Sequence, residues 1–208
     1  LYALLADASL ATGDYQHLPL SRDINSLIND ETDVMSGYIT DQPFRLRQQG
    51  VAINIINPQS YGFDFYGDIL FTSDRELRHF PDRATRFKRA SLKGWRYALE
   101  HPEEIIDDIV KNYETQLSRE QLRYEAQEIR KLMLPDLLPI GQLEVSRLRR
   151  AANIYHRLGI APALSDIRLE NFIADKNSFL KLTAEEQAWL EQHPVIRLGI
   201  DREFAPYE

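Results

Sequence analysis

Between residues 33 and 56 the hydrophobic pattern changes period twice, and this alternation limits the folds open to the chain. Residues 33–39 read as a strand. Thr40 or Asp41 then caps a helix over Phe44 and Leu46 that ends at Gly50. Residues 51–56 alternate apolar with small or polar side chains, the period-2 pattern of a strand. A third strand is expected over residues 67–73. Parallel strands need a crossover connection, so strand–helix–strand units over short loops predict an α/β fold, a mostly parallel sheet with covering helices.

The second half reads as helix, with clear punctuation. Asp74 starts a short helix, and Pro81 opens a longer one running to about Glu100, since proline is tolerated at a first helical position. His101-Pro102-Glu103-Glu104 starts another, with two carboxylates at the positive end of its dipole. Its expected apolar face is Ile105, Ile106, Ile109, Val110 and Tyr113. Ser118-Arg-Glu-Gln121 is a capping box, in which Gln121 would reach back toward Ser118. The helix behind it presents Leu122, Ala126, Ile129 and Met133, and Pro135 stops it. A further helix over residues 144–158 ends at Gly159. Earlier in the chain, Leu4, Leu5 and Ala8 recur at helical spacing, and Ser21 is placed to cap a helix carrying Ile24, Leu27 and Ile28. Phe87, Ala90, Gly94, Trp95 and Ala98 place small residues among aromatics at helical spacing, which predicts close packing. Residues 161–181 read as a linker. Thr183 to Glu186 form a second capping box before Trp189 and Leu190, and residues 195–200 read as a new strand.

Composition excludes several classes of function. The chain has 208 residues, a formal charge of −7 and no cysteine. Without cysteine there are no disulfides, thiolate metal sites, cysteine nucleophiles or iron–sulfur clusters. A net-anionic chain with no long Lys/Arg block is not built to bind nucleic acid. No apolar run reaches the roughly 18–20 residues of a membrane helix. The five histidines are scattered, with no metal-ligand spacing among them, and neither a nucleophile elbow nor a Gly-rich phosphate loop is present. No catalytic residue, metal or cofactor is therefore expected. The chain reads as a fragment of a longer protein.

Two segments carry candidate binding residues. In Tyr38-Ile-Thr-Asp-Gln-Pro-Phe44 a strand end runs into a helix start, the edge of an open α/β sheet where ligands bind. Tyr38 offers a stacking face, while Asp41 and Gln42 offer hydrogen-bond acceptors and an amide donor. The same residues also suit a plain capped helix, with Asp41 as the cap. In Asp64-Phe-Tyr-Gly-Asp68 an acidic group stands between aromatics, which suits a flat hydrogen-bonding ring and equally a buried strand with a satisfied aspartate. Asp64 and Tyr66 are the candidates there.

Asp33-Val-Met-Ser-Gly-Tyr-Ile-Thr-Asp-Gln-Pro-Phe44 resembles the pattern D-a-M-s-a-Y-i-T-N-E-P-F. Tyr61-Gly-Phe-Asp-Phe-Tyr-Gly-Asp-Ile-Leu-Phe-Thr-Ser73 resembles Y-G-x-D-F-Y-G-D-x-L-F-T-S almost letter for letter. Both patterns belong to the thiamine-pyrimidine-synthase-like (NMT1/THI5-like) substrate-binding proteins, in the branch found as extracytoplasmic sensor domains of bacterial signalling proteins. Residues 90–104, Tyr124-Glu-Ala126, 137–141 and 154–159 fit as well, so the resemblance spans about residues 1–160. Residues 182–208 resemble the opening of a family-3 solute-binding domain.

The resemblance implies a periplasmic-binding-protein (type II) lobe followed by C-terminal helices, with much of the N-terminal lobe missing. It also implies a ligand-sensing module in the periplasm, tethered to the inner membrane through segments outside this chain and attached to downstream signalling domains. The implied ligand is a small pyrimidine-like heteroaromatic. Tyr38 and Tyr66 would stack on it, and Asp41, Gln42 and Asp64 would hydrogen-bond its edge. The family's Asn-Glu pair is Asp41-Gln42 here, so the acidic contact has either moved one position or become an amide. The alternatives are a transport receptor for a thiamine pyrimidine precursor and a pyrimidine-synthase-like enzyme. The enzyme branch carries a cysteine-rich motif that this chain lacks.

Overall fold

Caps, prolines and glycines decide where the helices of this chain begin and end. The computed structural model describes residues 2–11, 13–159, 161–162, 169, 172–174, 184–193 and 195. These fall into two units, residues 1–174 and residues 175–208.

In the first unit α1 spans Tyr2–Asp7, and α2 is a single turn, Asn25–Ile28. Ser21 does not cap α2. Its hydroxyl accepts the Asp23 N–H, and Asp23 Oδ1 in turn accepts the Asn25 N–H at 3.0 Å. Ile24, directly before the turn, is fully buried. Next, α3 (Gln42–Gln48) carries Pro43 in its first turn and buries Leu46, and Gly50 follows at φ 74°, the left-handed region that glycine enters freely. A 3₁₀ turn over Pro58–Tyr61 is capped by the Asn57 side chain.

The helical half follows its punctuation closely. The Ser73 hydroxyl accepts the Glu76 N–H and starts α4 (Asp74–His79). Proline opens both α5 (Pro81–Glu100) and α6 (Pro102–Asn112). Ser118 caps α7 (Arg119–Met133) by accepting the Gln121 N–H at 3.1 Å. Last in the unit, α8 spans Val145–Arg157, and Gly159 follows it at φ 69°.

From α4 to α7, consecutive helices pack against one another. Arg83 forks onto Glu76 between α4 and α5, the Tyr97 hydroxyl donates to Glu104 between α5 and α6, and Arg123 forks onto Glu103 between α6 and α7. Arg119 also pairs with Asp107. Beneath these ties lie Ile106 of α6, 2% exposed, and Leu122 of α7. Gly141 brings the segment after α7 against α5, where a Cβ would come within 2.5 Å of the Leu92 side chain.

The expected α/β lobe with a mostly parallel sheet is not found: among the described residues there is no strand. Residues 33–39, 51–56 and 67–73 are irregular, and 33–39 ends in a turn. An alternating apolar pattern favours extended backbone, but a strand also needs a neighbour to take its N–H and C=O groups. No described segment lies alongside these three as such a neighbour. Parallel strands are buried on both faces, yet Val34, Ile55, Ile56 and Leu70 are exposed here and Phe71 is 85% exposed.

Two helix faces also differ from expectation. Phe87, Ala90, Gly94 and Trp95 of α5 face solvent, as do Val110 and Tyr113 at the end of α6. The α7 face is as expected, with Leu122 buried and Ala126, Ile129 and Met133 half-buried.

In the second unit α9 spans Ala184–Gln192. Beyond its end the His193 ring stacks on Trp189 at 4.2 Å, and its Nδ1 lies 2.7 Å from the Trp189 carbonyl. Thr183 of the second capping box, most of the linker and residues 196–200 of the last expected strand lie outside the described residues.

Candidate functional site

Tyr38, Asp41 and Gln42 come together where the chain turns into α3. The Tyr38 N–H donates to Gln42 Oε1 at 2.6 Å, which closes the turn from inside. The Gln42 side chain can lie there because residue 37 is glycine: a Cβ on Gly37 would stand 2.9 Å from Oε1. Gln42 is 5% exposed, whereas Tyr38, whose backbone it anchors, is 64% exposed.

Asp41 is the residue before α3, but its side chain caps nothing. Its Oδ1 accepts from the Gln121 side-chain amide at 3.0 Å, and its Oδ2 lies 3.7 Å from Arg45. The plain capping reading of Asp41 therefore fails, because its carboxylate faces α7.

α7 supplies the rest of this group. The Tyr124 hydroxyl donates to the Ile39 carbonyl at 2.9 Å, and the Tyr124 ring lies 5.2 Å from that of Phe44. One position on, partial burial pushes the Glu125 carboxyl above its ordinary pKa, and the charge of Asp41 adds to the rise. Gln121, Tyr124 and Glu125 share a face by their three- and four-residue spacing. The sequence showed Gln121 as the last member of a capping box. Its side chain instead reaches a residue 80 positions earlier. Nothing local in the sequence announces that partner.

Asp64 and Tyr66 form a second group, tied to α8. Arg147 donates to Asp64 Oδ1 at 2.5 Å and to the carbonyls of Asp64 and Phe65 at 3.3 Å each. Its guanidinium also lies 4.1 Å over the Tyr66 ring. The Tyr66 hydroxyl oxygen accepts the N–H of Glu144, the residue before α8, at 2.8 Å. Gln59 donates to the same Asp64 oxygen, and Phe65 stacks on Tyr155 at 5.6 Å. Arg147 makes most of the contacts that gather this segment, and it did not stand out in the sequence. Asp68 is exposed.

The five candidate residues thus form two groups: Tyr38, Asp41 and Gln42 at the start of α3, where Asp41 is tied to α7, and Asp64 and Tyr66, tied to α8. Among the described residues no cluster of three or more His, Asp or Glu is arranged to hold a metal. No described helix is long and apolar enough to cross a membrane.

The family model described as "NMT1/THI5 like" matches residues 1–105, half of the chain. The chain belongs to the NMT1/THI5-like family. All five candidate residues lie within the matched region, while Gln121, Tyr124, Glu125 and Arg147 lie beyond it. Two relatives of this NMT1/THI5-like chain have been characterised by name. A riboflavin-binding protein of Chloroflexus aurantiacus is 29% identical over 82 residues, 39% of this chain and 23% of the relative. A formylaminopyrimidine-binding protein of Halalkalibacterium halodurans is 28% identical over 109 residues, 49% of this chain and 33% of the relative. The chain therefore spans between about a quarter and a third of the length of these relatives. No solved structure gives a significant match.

Proposed function

We propose that the chain is part of a solute-binding protein for a small, flat, nitrogen-containing heteroaromatic ligand. Two lines support this reading: membership of the NMT1/THI5-like family, and relatives named for binding riboflavin and a formylaminopyrimidine. Both of those ligands contain a pyrimidine ring. The observation that carries the reading is the Tyr38–Gln42 pair, an exposed aromatic ring whose backbone is clamped by a buried amide. Backbone held in advance leaves less of the chain to order when the ring stacks on a ligand, and the stacking buries the ring's apolar face.

In this reading Tyr38 stacks on the ligand while Asp41 and Gln42 hydrogen-bond its edge. Tyr66 can offer a ligand only the ring face that Arg147 does not cover, and Asp64 contributes through an oxygen that Arg147 and Gln59 also use. The protein acts as an extracytoplasmic sensor module, tethered to the inner membrane, in which ligand binding biases attached signalling domains through its differential affinity for two states. A second reading is a transport receptor. It is favoured by the names of the relatives, both of which describe binding proteins with no signalling role in the name. In neither reading does the chain itself catalyse a reaction.

The test is a thermal-shift screen of the full-length protein against pyrimidines, flavins and amino acids. A ligand present at 100 times its dissociation constant adds about 2.7 kcal/mol of stability, a clear shift in melting temperature. A hit among pyrimidines or flavins that Tyr38→Ala weakens is the expected result. A folded protein that responds to none of them rejects the reading.

A further inference from the structure

Among the described residues, only half of the Gln42 side-chain amide is used. A carboxamide has an acceptor oxygen and a nitrogen with two N–H donors. The oxygen takes the Tyr38 N–H, and because a backbone N–H can only donate, this bond fixes which way round the amide sits. A flipped amide would set N–H against N–H. Among the described residues the Gln42 Nε2 donates to no acceptor, although the residue is 5% exposed. Buried donors in native proteins are nearly always paired, so an unpaired one calls for an explanation. The arrangement also depends on Gly37, since a Cβ there would stand 2.9 Å from Oε1.

We propose that the Gln42 Nε2 donates to a ring carbonyl oxygen of the ligand, so that the site selects oxo-heterocycles over their amino-substituted counterparts. The proposal rests on the reading of this segment as a ligand site and names the chemical class that the site takes. An exocyclic amine facing Nε2 would place donor against donor, while a carbonyl oxygen, projecting from the ring with two lone pairs, completes the amide. Asp41, the adjacent residue, supplies the complementary acceptor. Its Oδ1 is shared with Gln121, but among the described residues its Oδ2 has only Arg45, at 3.7 Å. A donor beside an acceptor matches a cyclic imide edge, in which a carbonyl stands next to a ring N–H.

The isosteric change Gln42→Glu tests the point. A glutamate oxygen still accepts the Tyr38 N–H, so the clamp survives, and at a pH where the introduced carboxyl is ionised the other arm changes from donor to acceptor. Uracil and 4-aminopyrimidine are the probes, titrated calorimetrically into the full-length protein and its variant. The unmodified protein is expected to bind uracil more tightly, by about tenfold, the worth of one well-made hydrogen bond. The variant is expected to lose or reverse that preference. If the unmodified protein binds 4-aminopyrimidine as tightly as uracil, the proposal is overturned whatever the variant does, while the ligand-site reading stands. If uracil is preferred but Gln42→Glu leaves the preference unchanged, Gln42 is not the selecting residue and the proposal is again overturned. If the folded protein binds neither probe, the proposal is overturned, and the ligand-site reading falls with it only if the flavins and other pyrimidines of the screen are also silent.

Discussion

Glu125 shows how one ionisable side chain reports on its neighbours. Burial, and then the negative charge of Asp41, hold its pKa above the ordinary carboxylate value. The folded chain therefore keeps a proton that the unfolded chain has already released. By linkage, this costs nothing in acid, where both states are protonated. The cost grows as pH rises through the ordinary carboxylate range and is complete once the folded-state group has ionised. Glu125→Gln is therefore expected to raise the melting temperature slightly at pH 7 and to leave it unchanged well below the ordinary carboxylate pKa. The gain is small because the group is only partly shielded from water. Melting curves across pH check this, and a gain of equal size in acid would rule out the electrostatic cause. Next to Glu125 in the chain, Tyr124 holds the Ile39 carbonyl, and four residues before it Gln121 holds Asp41. A shift in the Glu125 carboxyl therefore bears on the turn that carries Tyr38.

Among the elements, α8 concentrates its ties in one side chain, because Arg147 serves three acceptors and one aromatic face at once. Arg147→Met removes all of these together and is expected to cost up to about 3 kcal/mol, limited by the partial exposure of Asp64. Arg147→Lys is expected to rescue little of that loss, since an ammonium cannot fork across three oxygens or lie flat on a ring. Chemical denaturation of both variants measures the difference, and full rescue by lysine would contradict the geometry. The helices were legible in the sequence because their signals are local. Pro81, Pro102 and Ser118 each act within one turn, and each helix starts where its signal stands. The segments read as strands carried a local signal too, but a sheet is a relation between segments, and Phe71 or Val34 cannot specify a neighbour. The site divides in the same way. Tyr38, Asp41, Gln42, Asp64 and Tyr66 stood out by type and spacing, whereas Gln121, Tyr124 and Arg147, which bond Asp41, the Ile39 carbonyl and Asp64 from 80 to 85 residues away, did not stand out as site residues.

For the first unit as a whole, the densest packing lies between α6 and α7, with Ile106 at its centre. Ile106→Ala is expected to destabilise this unit by about 2–5 kcal/mol, the cost of a buried cavity, in equilibrium denaturation. A loss below 1 kcal/mol would mean that the helices collapse around the gap. Both parts of the candidate site depend on this half of the chain, since the hydrogen bond from Tyr124 to Ile39 closes a span of 85 residues and that from Arg147 to Asp64 a span of 83. On a ribosome adding roughly 5–20 residues per second, the turn at Tyr38 waits about 4–17 s for the side chain that will hold it. For that interval Tyr38, Phe71 and the apolar residues around them are exposed on a nascent chain whose later helices do not yet exist. The residues best suited to meeting a ligand are thus made well before the side chains that secure them, and in that interval they are open to a chaperone or a protease.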